Sequence, residues 1–158
     1  MTAFFADTFY WIALADFADS AHQRALAFTA KSASSGIVTT DEVLTEYLSF
    51  FSTASEPLRR EAAESVEDIL ASGVIRVIPQ SRTSFLAGLA LYKARPDKGY
   101  SLVDCISMQA MRREGLTEFS QTTGILSRKG SGLCSGILRE ICEESRALGR
   151  VKSVRSNG

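Results

Sequence analysis

Apolar positions along this chain alternate between short solid runs and stripes at helical spacing. Ala3–Ala6 is a short apolar run closed by Asp7, which predicts a buried strand. From Thr8 to Asp16, Tyr10, Trp11, Leu14 and Ala15 form one stripe, the pattern of a helix with a single buried face. A second helix is expected over Ser20 to Ser32, with Ala21, Ala25, Leu26 and Phe28 facing inward. Gly36 interrupts the chain before a second strand, Ile37-Val38-Thr39. A third helix follows from about Thr40 to Ser52, with Val43, Leu44, Tyr47, Leu48 and Phe51 on its apolar face. The fourth starts at Glu56-Pro57, where a first-turn proline is well placed, and continues to Leu70. Gly73 ends it, and Val74 to Ile78 is the clearest strand in the sequence. Two further helices are expected, Ser81 to Ala94 and Ser101 to Glu114, separated by the polar turn Arg95-Pro96-Asp97-Lys98-Gly99. Strands alternating with helices predict an α/β fold with a central parallel β-sheet flanked by helices.

Composition narrows this picture. With 158 residues and 45% apolar content, one compact domain is expected. No apolar run is long enough to span a bilayer, and the opening MTAFFADTFYWIALAD lacks the basic stretch of a secretion signal, so a cytoplasmic protein is expected. The three cysteines, Cys105, Cys134 and Cys142, show no CxxC spacing and support neither a disulfide framework nor a zinc site. The single histidine, His22, excludes catalysis by several histidines, and its polar neighbours predict a solvated side chain.

A formal net charge of zero hides a division of the chain. Residues 1–118 carry eleven Lys or Arg against fifteen Asp or Glu, a net of −4, while residues 119–158 carry seven against three, a net of +4. Gly and Ser crowd into the second stretch, so a boundary is expected near residue 118. A net negative first part does not favour broad nucleic-acid binding. Any RNA contact would need a local patch, for which Arg59, Arg60, Lys93, Arg95 and Lys98 are candidates, though ordinary surface charge accounts for them equally well.

Three acids occupy positions with chemical potential. Open parallel sheets bind ligands beyond the carboxyl ends of their strands. Asp7 ends the first strand, Glu46 lies in the helix after the second, and Asp104 lies in the first turn of the last helix, where Ser101 is the expected N-cap. Together they would make an all-oxygen site suited to Mg²⁺ or Mn²⁺. Each also has an ordinary alternative: Asp7 as a helix cap, Glu46 as a solvated helix residue, Asp104 as the third position of a capping box. Spacing alone leaves the choice open.

The segment FFADTFYWIAL resembles the opening strand and helix of PIN-domain toxins of the VapC type, in which a strand-end Asp is followed by Thr or Ser. VTTDEVLTEYLSF resembles their second motif, with the family's Glu on Glu46, and RPDKGYSLVDCISMQAMRREGLTE resembles the third, with its Asp on Asp104. The likeness covers about residues 3–118, and Val103 stands where relatives often carry Thr. It implies a PIN-like fold and Mg²⁺- or Mn²⁺-dependent endonucleolytic cleavage of RNA. Asp7, Glu46 and Asp104 would be the metal-binding and catalytic acids, supported by Thr8 and Ser101. It further implies an antitoxin partner in a toxin–antitoxin system and a homodimer. A catalytically inactive protein of this fold that binds only an antitoxin or RNA is the alternative. A phosphoryl-transfer enzyme with Asp7 as nucleophile fits less well, because no second Asp follows two residues on.

Beyond the third motif the likeness stops. Relatives run on into a stretch of the form T-x-D-x-H-F-x-x-x-G-F, whose Asp is a fourth acid, whereas this chain reads GLTEFSQTTGILSRKGSGL and has no Asp after Asp104. Codons for Glu118 onward, read from the third base of the Glu118 codon, accommodate I-L-T-N-D-R-H-F-E-Q-E-G-F-R in unbroken order. Loss of one purine there would produce the present sequence, with the missing Asp straddling Thr122 and Thr123. Residues from Phe119 on are therefore read as translated out of frame, with a divergent but selected tail as the alternative. The nucleotide sequence across codons 115–135 decides between them. Apart from a patch near Leu138 and Ile141, this tail has little apolar patterning with which to offset the entropy of ordering. Glu140, Glu143 and Glu144 lie in it and are given no role.

Overall fold

A computed structural model describes residues 3–31 and 35–116 of the chain. The divergent tail, its two cysteines and the place of the fourth acid lie outside the described residues. The expected order of elements is present: β1 (Ala3–Phe5), α1 (Thr8–Ala15), α2 (His22–Lys31), β2 (Gly36–Thr40), α3 (Asp41–Phe50), α4 (Glu56–Ala71), β3 (Ile75–Ile78), α5 (Arg82–Ala94) and α6 (Leu102–Glu114). The strands form one parallel sheet in the order β1-β2-β3, with Phe4 opposite Ile37 and Thr39 opposite Val77. Two helices lie between each pair of consecutive strands, as parallel connections demand. Among the described residues no helix is long and apolar enough to cross a membrane.

The core is built around α1. Its sequence TFYWIALA buries seven of its eight residues, a wider face than the Tyr10, Trp11, Leu14 and Ala15 stripe predicted. Tyr10 meets Phe4 edge-to-face with ring centroids 5.6 Å apart, and Phe28 of α2 meets Phe4 at 4.8 Å. The Tyr10 hydroxyl lies 2.7 Å from Thr29 Oγ1, which itself donates to the Ala25 carbonyl, so Tyr10 is the donor. The expected inward residues of α2 hold their places, Ala21 and Ala25 buried and Leu26 and Phe28 half-buried. On α3, Val43, Leu44 and Tyr47 are buried, as is Phe51 just beyond it, but Leu48 is exposed.

His22 departs from expectation. It is 3% exposed, its Nδ1 lies 2.7 Å from the Ala13 carbonyl, and Phe17 packs edge-on against its ring. The hydrogen-bonding partner comes from the C-terminal half of α1, nine residues upstream, which the polar neighbours of His22 could not reveal.

The outer layer is α5 and α6. They approach closely at Gly88, where an added Cβ would stand 2.3 Å from Ile106 Cγ1 and 3.1 Å from the Ile106 backbone nitrogen. Glycine at 88 is what lets α6 lie there. Through α6 this layer meets α3 and β2, and so reaches the carboxyl end of the sheet. Gly115 ends α6 in the left-handed region at φ 64°, a standard helix stop.

Candidate active site

Asp7 is set by the end of β1. The Ala6 amide donates to the Val38 carbonyl at 2.8 Å, the last rung before the strands diverge. Asp7 then caps α1, its Oδ1 accepting from the Tyr10 amide at 2.8 Å. A residue for which no role was read from sequence, Thr39, secures this corner. Its hydroxyl donates to the Ala6 carbonyl at 2.9 Å and accepts from Trp11 Nε1 at 3.3 Å, joining β2, β1 and α1 beside Asp7. A small β-branched residue at a strand end was the available signal.

Glu46 comes in on α3, whose own start is capped by the Thr40 hydroxyl. Its Oε2 accepts a hydrogen bond from the hydroxyl of Thr8, which is 5% exposed. Thr8 thus orients a carboxylate 38 residues away in sequence. Asp104 is fixed by a full capping box at the start of α6. The Ser101 amide donates to Asp104 Oδ2 at 2.7 Å, and the Asp104 amide donates to Ser101 Oγ at 3.0 Å.

The ordinary capping roles of Asp7 and Asp104 are therefore real, and they do not exclude a second one. Each of the three carboxylates spends one oxygen on a protein donor. Burial pushes the Asp7 carboxyl up to about 6, and the neighbouring charges of Asp104 and Glu46 push the same way, against the Tyr10 amide, which lowers it. Asp7 thus lies within the field of both other acids. Among the described residues no three His, Cys, Asp or Glu side chains are gathered closely enough to form a ready metal cage. Their chemistry nevertheless suits a hard divalent cation: all-oxygen donors, one of which resists ionisation chiefly because it is buried, with two like charges adding to the effect.

Of the basic residues singled out from sequence, four line another cavity or are engaged with acids. Arg59 and Arg60 line a cavity of about 400 Å³ with Leu48 and Phe51, and Arg60 pairs with Glu56 at 2.7 Å. Arg95 and Lys98 both pair with Asp97, at 2.9 and 3.9 Å.

Three parallel strands in one sheet with six flanking helices among the described residues make a PIN-like α/β fold. The same fold is found in a solved structure, the Mycobacterium tuberculosis toxin VapC20, described as a sarcin-ricin loop cleaving toxin. The match has a TM-score of 0.63 at 24% identity and covers 75% of this chain and 87% of that one. No family model and no curated protein matches the chain.

Proposed function

We propose that this chain is a metal-dependent endoribonuclease of the VapC toxin type. The observation that carries this reading is the placement of Asp7 in the field of Glu46 and Asp104, at the carboxyl end of a parallel sheet of the VapC20 fold. Asp7, Glu46 and Asp104 would hold Mg²⁺ or Mn²⁺, which would activate a water for attack and offset charge on the phosphodiester. The protein's own groups do the positioning. Thr8 aims Glu46, Ser101 locks Asp104, and the Tyr10 amide holds one oxygen of Asp7.

RNA is the proposed substrate, an antitoxin the proposed partner, and a cytoplasmic homodimer the proposed assembly. Residues 1–118 form the proposed PIN-like domain, with the segment from Phe119 as the out-of-frame tail. A second reading, an inactive protein of this fold that binds antitoxin or RNA, is favoured by one observation: no Asp follows Asp104 to serve as a fourth acid.

Asp104→Asn tests the leading reading. The amide oxygen can still accept from the Ser101 amide, so the cap and fold should survive while the charge is lost. Mn²⁺-dependent RNA cleavage by the purified protein should vanish with the circular dichroism spectrum unchanged. Cleavage at the original rate would show that the site is assigned wrongly, and absence of cleavage by the unaltered chain would favour the second reading.

A further inference from the structure

Beside the acids, a shallow cavity of about 340 Å³ opens between α3, α6 and the start of α5, lined by Glu42, Thr45, Glu46, Phe85, Val103 and Ile106 among others. It shares Glu46 with the site, and Val103 directly precedes Asp104. A ligand in it would lie against Glu46 and next to the residue before Asp104.

Its walls divide by chemistry. Val103 and Ile106 give an apolar floor, and Phe85 adds an aromatic ring that is 37% exposed. The Arg82 guanidinium carbon lies 5.5 Å from the centre of that ring. The polar part of the lining is tied down by hydrogen bonds. Glu42 Oε1 lies 3.1 Å from the hydroxyl of buried Ser84, and the Gln80 amide donates to Asp41 Oδ2 at 2.9 Å, tying the start of α5 to the first turn of α3. Among the described residues the second Glu42 oxygen takes no hydrogen bond.

We propose that this cavity receives one unpaired RNA base, stacked on Phe85, with its amino edge donating to Glu42. The inference rests on the ribonuclease reading and names the part of the substrate that the site would select. Single-stranded RNA is recognised by stacking of splayed bases on aromatic rings and by hydrogen bonds to their edges. The volume is at the small end of ligand pockets and suits a single ring system, not a base pair. A carboxylate only accepts, so adenine, cytosine or guanine, each with an exocyclic amino group, fits Glu42. Uracil sets two carbonyl oxygens beside its one N–H and is disfavoured. Arg82 supplies positive charge for a flanking phosphate in an otherwise acidic neighbourhood.

The test uses the full chain in EDTA, so that binding is read without metal-dependent cleavage. Short labelled oligouridines, alone or with one central adenosine, cytidine or guanosine, are titrated and followed by fluorescence anisotropy. The amino-bearing RNAs should bind more tightly than all-uridine RNA. Phe85→Ala should weaken them about tenfold, the size of one lost stacking contact, while Phe85→Trp retains binding. Glu42→Gln should narrow the preference over uridine, because an amide also donates to carbonyl oxygens. Equal affinity for all four RNAs, or unchanged affinity in Phe85→Ala, overturns the base site, and Asp104-dependent cleavage persisting in that case leaves the ribonuclease reading standing. Failure of the unaltered chain to bind any of these RNAs also overturns the base site; loss of Asp104-dependent cleavage as well removes both readings. Should Phe85→Ala spare RNA binding and instead weaken self-association in sedimentation, the cavity serves a second copy of the chain and not a base.

Discussion

Helices α1 and α5 are both rich in apolar residues, and the fold treats them oppositely. TFYWIALA has seven of eight residues buried, whereas in RTSFLAGLALYKA only Ser84 and Gly88 are buried. Phe85, Leu86 and Tyr92 of α5 are 37%, 48% and 50% exposed. The difference is one of position. α1 is enclosed by the sheet, α2 and α3, while α5 lies outside and presents a glycine to α6. Burial is decided by how many layers surround a helix, and apolar content alone does not report that. The helix starts differ in the same sense. α5 opens on a neutral capping box of Ser81 and Ser84, but α1 opens on a carboxylate placed in the field of two others. The well-packed helix carries the electrostatically costly end.

The largest effect expected from this contrast is at Trp11. It is 1% exposed and its indole N–H donates to Thr39 beside Asp7. Trp11→Ala should cost about 3–5 kcal/mol, the range for deleting a large buried aromatic. Denaturant unfolding checks it, and a loss under about 1 kcal/mol would show that α1 is less enclosed than its burial implies.

A smaller effect of opposite sign is expected at the start of α1. The Asp7 carboxyl rises from 3.8 to about 6 in the folded chain. Below 3.8 it is protonated whether folded or not, and it costs nothing. As the pH climbs through that window the unfolded chain releases its proton first, so stability falls, and the loss is complete above about 6. The shift corresponds to about 3 kcal/mol at neutral pH. In metal-free protein, Asp7→Asn should therefore stabilise the fold by up to about that amount at pH 7 and by little near pH 3.5. Thermal melts of both proteins across this range measure it. A variant no more stable than its parent at pH 7 would show that burial does not penalise the Asp7 carboxylate.

Much of this contrast was readable in the sequence, and the reasons for the remainder are specific. Element order follows from apolar spacing and from local stops and caps such as Gly73 and Ser101. The capping box at Ser101 and Asp104 is a three-residue relation, fully visible in one dimension. The hydrogen bond from Thr8 to Glu46 spans 38 positions and that from Thr39 to Ala6 spans 33, so neither could be seen before the strands were paired. Asp7, Glu46 and Asp104 were named by their strand-end and helix-start positions and by resemblance to a family. That Asp104 and Glu46 both bear electrostatically on Asp7 needed the fold. His22 was misjudged for the related reason that its partner, the Ala13 carbonyl, belongs to another helix. The apolar run of α5 does not by itself tell a core helix from a surface one, and only its packing on α6 does.

The smallest effect distinguishes whether that outer place is final. Leu86 is 48% exposed, so in an isolated protomer its side chain has already forgone much of the benefit of burial. Leu86→Ala should then change stability by no more than about 0.5 kcal/mol, as for surface substitutions away from caps and networks. The measurement is a melt at several protein concentrations. An assembly that binds only the folded chain adds a stabilisation that grows with concentration. If the outer face of α5 is covered in such an assembly, Leu86→Ala will lower the melting temperature most at high concentration, and the parent will show a concentration dependence that the variant lacks. A small, concentration-independent change instead leaves α5 a solvent-facing helix and keeps its contrast with α1 a property of the single chain.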